Sequence, residues 1–132
     1  QDSRMSYDAF PRPVYTFPEI ASVGLTEAQA RAQDPGVKVG MMPWVANGKA
    51  LASDATEGFI KVIVGSYGEI LGAAIIGPDA TNLITEYTLA MHGELTASEI
   101  DETIHPHPTL SEALREAVLA ADKRAIHIYQ RK

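Results

Sequence analysis

Two apolar runs set close together constrain this chain more than any other feature. The first is Phe59-Ile60-Lys61-Val62-Ile63-Val64 and the second is Ile70-Leu71-Gly72-Ala73-Ala74-Ile75-Ile76. Both are rich in β-branched residues, whose stiff side chains suit a pleated surface. Between them stands Gly65-Ser66-Tyr67-Gly68-Glu69, a hairpin loop of common length. Strands joined by so short a loop pair antiparallel, because a parallel pair needs a long crossover. The chain is therefore predicted to build an antiparallel sheet around this hairpin.

The rest of the chain supplies further strands and several helices. Residues 19–24 alternate and predict a core strand. Thr26 and Gln29 have the spacing of a capping box and open a helix that ends before Asp34-Pro35-Gly36. Residues 37–45 read as another strand, with Pro43 marking an edge or a bulge. Residues 46–57 read as a loop of small residues, in which Lys49-Ala50-Leu51 either packs on a partner chain or is plain surface.

Gly77-Pro78-Asp79 ends the sheet and starts a helix to about residue 91. Leu83, Ile84, Tyr87, Leu89 and Met91 give that helix a broad apolar face, and Gly93 is placed as its C′ residue. Thr96 and Glu99 form a second capping box, opening a short helix to about residue 103. Lys61 is expected on the solvent face, and His92 and His127 are given no functional role. Together these elements predict an α+β fold, an antiparallel sheet with helices packed on one face. Residues 1–12 read as a linker or tail, punctuated by Pro11, and residues 13–132 as one domain.

A chain of 132 residues is long enough for one cored domain and too short for two. Its net charge of −6 and the lack of any basic run longer than Lys123-Arg124 or Arg131-Lys132 argue against a nucleic-acid partner. No apolar run approaches the roughly 18 residues of a membrane span. The absence of cysteine fits a reducing compartment, and a cytoplasmic location is expected.

The chemistry concentrates in His105-Pro106-His107-Pro108-Thr109-Leu110-Ser111-Glu112. Proline stiffens the chain on both sides of His107, which suits a general base, since proton transfer depends first on reach. Leu110, Leu114 and Val118 follow at helical spacing and predict an amphipathic helix over 109–121. Glu112 has two readings. It either completes a T-x-x-E capping box with Thr109, or it orients His107 as the acid does in triad-type sites. The H-x-H pair lacks cysteines or a clear third ligand, so a metal site is not expected.

The segment HPHPTLSEA resembles the C-terminal signature of the pyridine nucleotide-disulfide oxidoreductases, and within them the dihydrolipoamide dehydrogenases. Tyr15-Thr16-Phe17-Pro18-Glu19, Val23-Gly24-Leu25-Thr26-Glu27, Gly58-Phe59-Ile60-Lys61, Ile70-Leu71-Gly72, Ile75-Ile76-Gly77-Pro78 and Ala125-Ile126-His127-Ile128 extend the likeness over residues 13–132. The resemblance implies the C-terminal dimerisation (interface) domain of such an enzyme. It implies that His107 is the acid-base partner of a redox disulfide, that Glu112 orients it, and that the His107-Pro108 bond is often cis. The upstream His105 favours the lipoamide branch.

The resemblance also implies FAD and NAD in the full-length enzyme, dihydrolipoamide as substrate, a homodimer, and association with a 2-oxo acid dehydrogenase complex. This chain, with no cysteine and no G-x-G-x-x-G, is expected to bind neither cofactor and to be inert alone. The alternatives are the same domain of a glutathione reductase or soluble transhydrogenase, or a stand-alone dimerisation or binding module without chemistry.

Overall fold

The computed structural model describes residues 7–130. In order it contains β1 (Arg12–Val14), β2 (Glu19–Gly24), α1 (Glu27–Gln33), β3 (Lys38–Pro43), a 3-10 turn (Trp44–Ala46), α2 (Gly48–Ala52), β4 (Phe59–Val64) and β5 (Ile70–Gly77). α3 (Ala80–His92), α4 (Ala97–Glu102) and α5 (Glu112–Ala121) follow. The predicted hairpin is β4 and β5, and it lies at the centre of one five-stranded sheet of order β1-β2-β5-β4-β3. Every pairing is antiparallel. Pro43 falls on an edge strand, where proline costs the sheet least. β1 begins at Arg12, so pairing reaches the last residue of the segment read as a linker.

Alternation along the strands divides the sheet into two faces. Ile60 and Val62 of β4, with Ala73 and Ile75 of β5, face the main core under α3 and α5, where Ile84, Tyr87, Leu114 and Val118 meet them. The predicted layer of helices on one face thus holds for α3 and α5. The short α1 lies on the other face, where Ala30 joins Val37 and Ile63 in a smaller cluster. Its Glu27 forms ion pairs with Lys61 and Arg31. Lys61 is therefore a paired residue tying α1 to the sheet rather than a free solvent-facing lysine.

At Gly40 on β3, an added Cβ would stand 1.8 Å from the carbonyl oxygen of Ala117 on α5. Only glycine lets the helix approach the strand backbone so closely.

Three local expectations change. The strand expected over 37–45 stops at Pro43, because Trp44 turns inward, is fully buried and donates through Nε1 to the Ile76 carbonyl at 2.8 Å. The loop expected over 46–57 begins with α2, capped by Asn47, and Ala50 within it is fully buried. Gly93 has φ −84°, and the left-handed C′ position after α3 is Glu94 at φ 55°. The Leu95 amide to the Ala90 carbonyl and the Glu94 amide to the Met91 carbonyl close the helix end, which places C′ one residue later than the glycine.

The N-terminus of α3 is capped from a distance. Asp79 makes no side-chain cap, and Glu19 of β2 accepts instead from the Thr81 amide at 3.0 Å and its hydroxyl at 2.5 Å. The Thr81 hydroxyl, then its amide, hold the Glu19 carboxyl below the ordinary glutamate value. A carboxyl held low in the folded state adds stability that is present above its ordinary pKa and lost as pH falls through the folded one. Glu19→Gln should therefore lower the urea midpoint most near about pH 7, with the gap to the parent closing towards about pH 3. An equal gap at both pH values would show that Glu19 acts through its shape and not its charge.

Among the described residues no helix is long and apolar enough to cross a membrane.

Candidate functional site

The predicted histidine segment connects α4 to α5 across one edge of the helical layer. α4 opens on the Thr96–Glu99 capping box and ends at Thr103, whose hydroxyl donates to the Glu99 carbonyl at 2.6 Å. Two residues apart on a straight extended chain, His105 and His107 would point the same way. The backbone bends at residues 107 and 108, and the His107-Pro108 peptide is cis, as is Phe17-Pro18. The two rings nevertheless part, one buried and the other exposed.

The His105 ring turns inward and is only 7% exposed. Its Nδ1 lies 3.0 Å from the Thr103 carbonyl and its Nε2 lies 2.7 Å from Oε1 of Glu86 on α3. A carbonyl only accepts, so Nδ1 is the donor to Thr103, and the Glu86 carboxylate accepts from Nε2 when the ring carries a proton on both nitrogens. His105 is thereby a tie between α3 and the connecting segment.

The His107 ring turns outward and is 71% exposed. Its Nδ1 lies 2.9 and 3.0 Å from the two oxygens of Glu112, whose side chain is 16% exposed. An ionised carboxylate only accepts, so Nδ1 carries the proton and the neutral ring keeps its lone pair on Nε2. Among the described residues, Nε2 of His107 has no hydrogen-bond partner and faces the exterior.

Glu112 resolves between its two readings in an uneven way. The Thr109 hydroxyl accepts from the Glu112 amide at 3.3 Å, so one half of the capping box forms. The Glu112 carboxylate goes to His107 instead of closing the other half. The helix consequently begins at Glu112, with Ser111 before it, three residues later than the sequence predicts.

On the side of Glu112 away from its partner ring, a small recess of about 320 Å³ is lined by Asp101, His105, Glu112, Arg115, Glu116 and His127 among others, and His107 is not part of its wall. Arg115 donates to the Asp101 carbonyl at 2.7 Å and to its carboxylate at 2.8 Å, and Arg124 reaches the same carboxylate at 2.8 Å. The buried Glu116 accepts from the amides of Ile126 and His127 at 3.1 and 3.0 Å, and His127 Nδ1 lies 3.4 Å from it. His127, given no functional role from sequence, thus helps pin the C-terminal segment to α5. Among the described residues, no three His, Asp or Glu side chains are arranged to share an ion.

Two residues that hold the segment carry no functional assignment in the sequence reading. Glu86 is one, and nothing local marks it. Asn47 is the other, and its place directly before a helix start is a recognisable cap signal. Its Nδ2 donates to the Thr109 carbonyl at 3.0 Å.

The family model for the pyridine nucleotide-disulphide oxidoreductase dimerisation domain matches residues 10–118. Over 118 residues the chain is 52% identical to a dihydrolipoyl dehydrogenase of Zymomonas mobilis, covering 89% of this chain and 25% of that protein. It is 49% identical to one of Bacillus subtilis over 118 residues, with the same coverage of 89% and 25%. Among solved structures, LpdA from Mycobacterium tuberculosis matches with a TM-score of 0.81 at 29% identity, covering 88% of this chain and 26% of that one. The HOCl-induced flavoprotein disulfide reductase RclA of Escherichia coli matches with a TM-score of 0.80 at 29% identity, covering 89% of this chain and 28% of that one. The chain spans about a quarter of the length of the curated relatives it matches.

Proposed function

Because the chain belongs to the dimerisation-domain family of the pyridine nucleotide-disulphide oxidoreductases, we propose that it supplies the acid-base group of such an enzyme, with His107 as that group and Glu112 as its orienting carboxylate. The observation that carries this reading is the carboxylate of Glu112 on Nδ1 of an outward-facing ring. That bond fixes the tautomer, aims Nε2 outward and supplies a countercharge for the imidazolium formed when Nε2 takes a proton. The proton would come from a substrate thiol, because the thiolate is the reactive form. The ring would give the proton up when the disulfide reaction reverses.

In this reading the whole enzyme is a dihydrolipoamide dehydrogenase, oxidising a dithiol to a disulfide while NAD takes up the two electrons. The names of the most similar relatives support the substrate assignment. No residue of this chain is assigned to FAD, to NAD or to a redox disulfide, since it has no cysteine and no G-x-G-x-x-G. Those groups would be held by other parts of a cytoplasmic homodimer associated with a 2-oxo acid dehydrogenase complex. In that dimer, His107 would face the redox centre of the partner chain.

The test is an assay of the whole enzyme with dihydrolipoamide and NAD, beside glutathione disulfide and NADPH. Turnover with the first pair only is the expected result. Turnover with the second pair only would move the chain to the glutathione branch and leave the role of His107 standing.

A further inference from the structure

We propose that Asn47 is a positioning residue for His107, holding the acid-base segment to the core through the Thr109 carbonyl. The inference rests on the reading of His107 given above. Asn47 is only 2% exposed, and both ends of its amide are used. Oδ1 accepts from the Ala50 amide at 2.9 Å, capping α2, and Nδ2 donates to the Thr109 carbonyl at 3.0 Å. The Asn47 backbone is itself fixed, its amide donating to the Trp44 carbonyl at 2.9 Å. Trp44 and Ala50 on either side of it are fully buried.

Thr109 is the residue through which this anchor acts on the site. It lies two positions after His107 and three before Glu112. Its hydroxyl donates to the Pro106 carbonyl at 2.7 Å and accepts from the Glu112 amide at 3.3 Å. Fixing the Thr109 carbonyl therefore sets the distance between the ring-bearing backbone and the start of α5. Asn47 is 62 residues away from Thr109 in the chain, and the contact makes a buried side chain of the 3-10 turn and α2 region part of the site's support. The competing explanation is that Asn47 only caps α2, a helix of five residues.

Asn47→Ser separates the two roles. Serine keeps an oxygen for the Ala50 amide and ranks with asparagine as a cap. It has no N–H that reaches Thr109. Asn47→Thr, which also caps through a hydroxyl oxygen and has no side-chain N–H, repeats the test if serine lowers the melting temperature.

In the whole enzyme, Asn47→Ser should lower kcat for dithiol oxidation about 10-fold or more, with KM changing less than about twofold, because small misplacements of a reacting group are expensive. Placed on top of His107→Gln, it should change kcat by less than about twofold, since both substitutions act through one group. Amide hydrogen exchange at Glu112, Ala113 and Leu114, whose amides bond back to Thr109, Leu110 and Ser111, should speed up while exchange in β4 and β5 is unchanged.

Wild-type kcat and exchange in Asn47→Ser would overturn the inference. Equal losses in both backgrounds would also overturn it, by showing a general structural effect. If His107→Gln alone leaves turnover intact, the functional reading fails, and exchange at Glu112, Ala113 and Leu114 then decides the role of Asn47 by itself.

Discussion

His107→Gln in the whole enzyme is expected to slow dihydrolipoamide oxidation by about 10²–10⁴-fold, the usual contribution of a positioned acid-base group. Glutamine keeps much of the side chain's reach and can still donate to Glu112. It cannot take a proton at neutral pH, so the substitution removes the chemistry and spares the fold. The loss should appear in single-turnover reduction of the enzyme by the dithiol, where the thiol proton must leave. Full turnover in the variant would remove His107 from the mechanism and return its ring to the role of a surface side chain. Glu112→Gln is also expected to lower turnover by orders of magnitude, since an amide carries no countercharge for the imidazolium and its NH2 can donate to Nδ1, which moves the neutral ring's proton to Nε2.

Trp44→Ala is the substitution expected to cost most stability, about 3–5 kcal/mol for emptying a large buried site. Two effects combine there. The indole is fully buried among core residues, and its loss removes the hydrogen bond that Nε1 donates to the Ile76 carbonyl. Trp44→Phe restores most of the volume and not the donor, so about 1–3 kcal/mol of the loss should remain. Urea unfolding followed by circular dichroism checks both, because Trp44 is the sole tryptophan and its fluorescence disappears with it. A midpoint for Trp44→Ala equivalent to less than about 1 kcal/mol would mean that the site collapses around the gap.

The parts of the fold that were legible in the sequence are those written in neighbouring residues. The hairpin of β4 and β5 follows from two β-branched runs and their short loop. The starts of α1 and α4 follow from the Thr26 and Thr96 capping boxes, and both boxes form as expected. What escaped is set by partners far away along the chain. A strand reading over 37–45 is locally sound, yet the hydrogen bond from Trp44 to Ile76, 32 residues on, ends the strand at Pro43. The capping box and the Asp34-Pro35-Gly36 stop mark the two ends of α1, but not which face of the sheet it would cover.

The same division runs through the site. His107 and Glu112 are five positions apart, and their pairing was one of two local readings. The sequence could not choose between them because the Glu112 carboxylate has two partners within reach, the Thr109 amide and the His107 ring. Asn47 and Glu86 reach the segment from 62 and 19 residues away, and no local pattern records such contacts.

The close seating of α5 on Gly40 bears on how the site tolerates change. The helix that begins with Glu112 meets the edge strand main chain to main chain, with no side chain between them. That spacing has no rotamers to explore and no volume to exchange. Conservative swaps among Ile, Leu and Val under α3 can alter the filling of the core while the height of α5 above the sheet stays constant. The carboxylate that steers the imidazole is thus referenced to the backbone of the sheet itself. Its surroundings are free to drift in sequence as long as position 40 has no side chain.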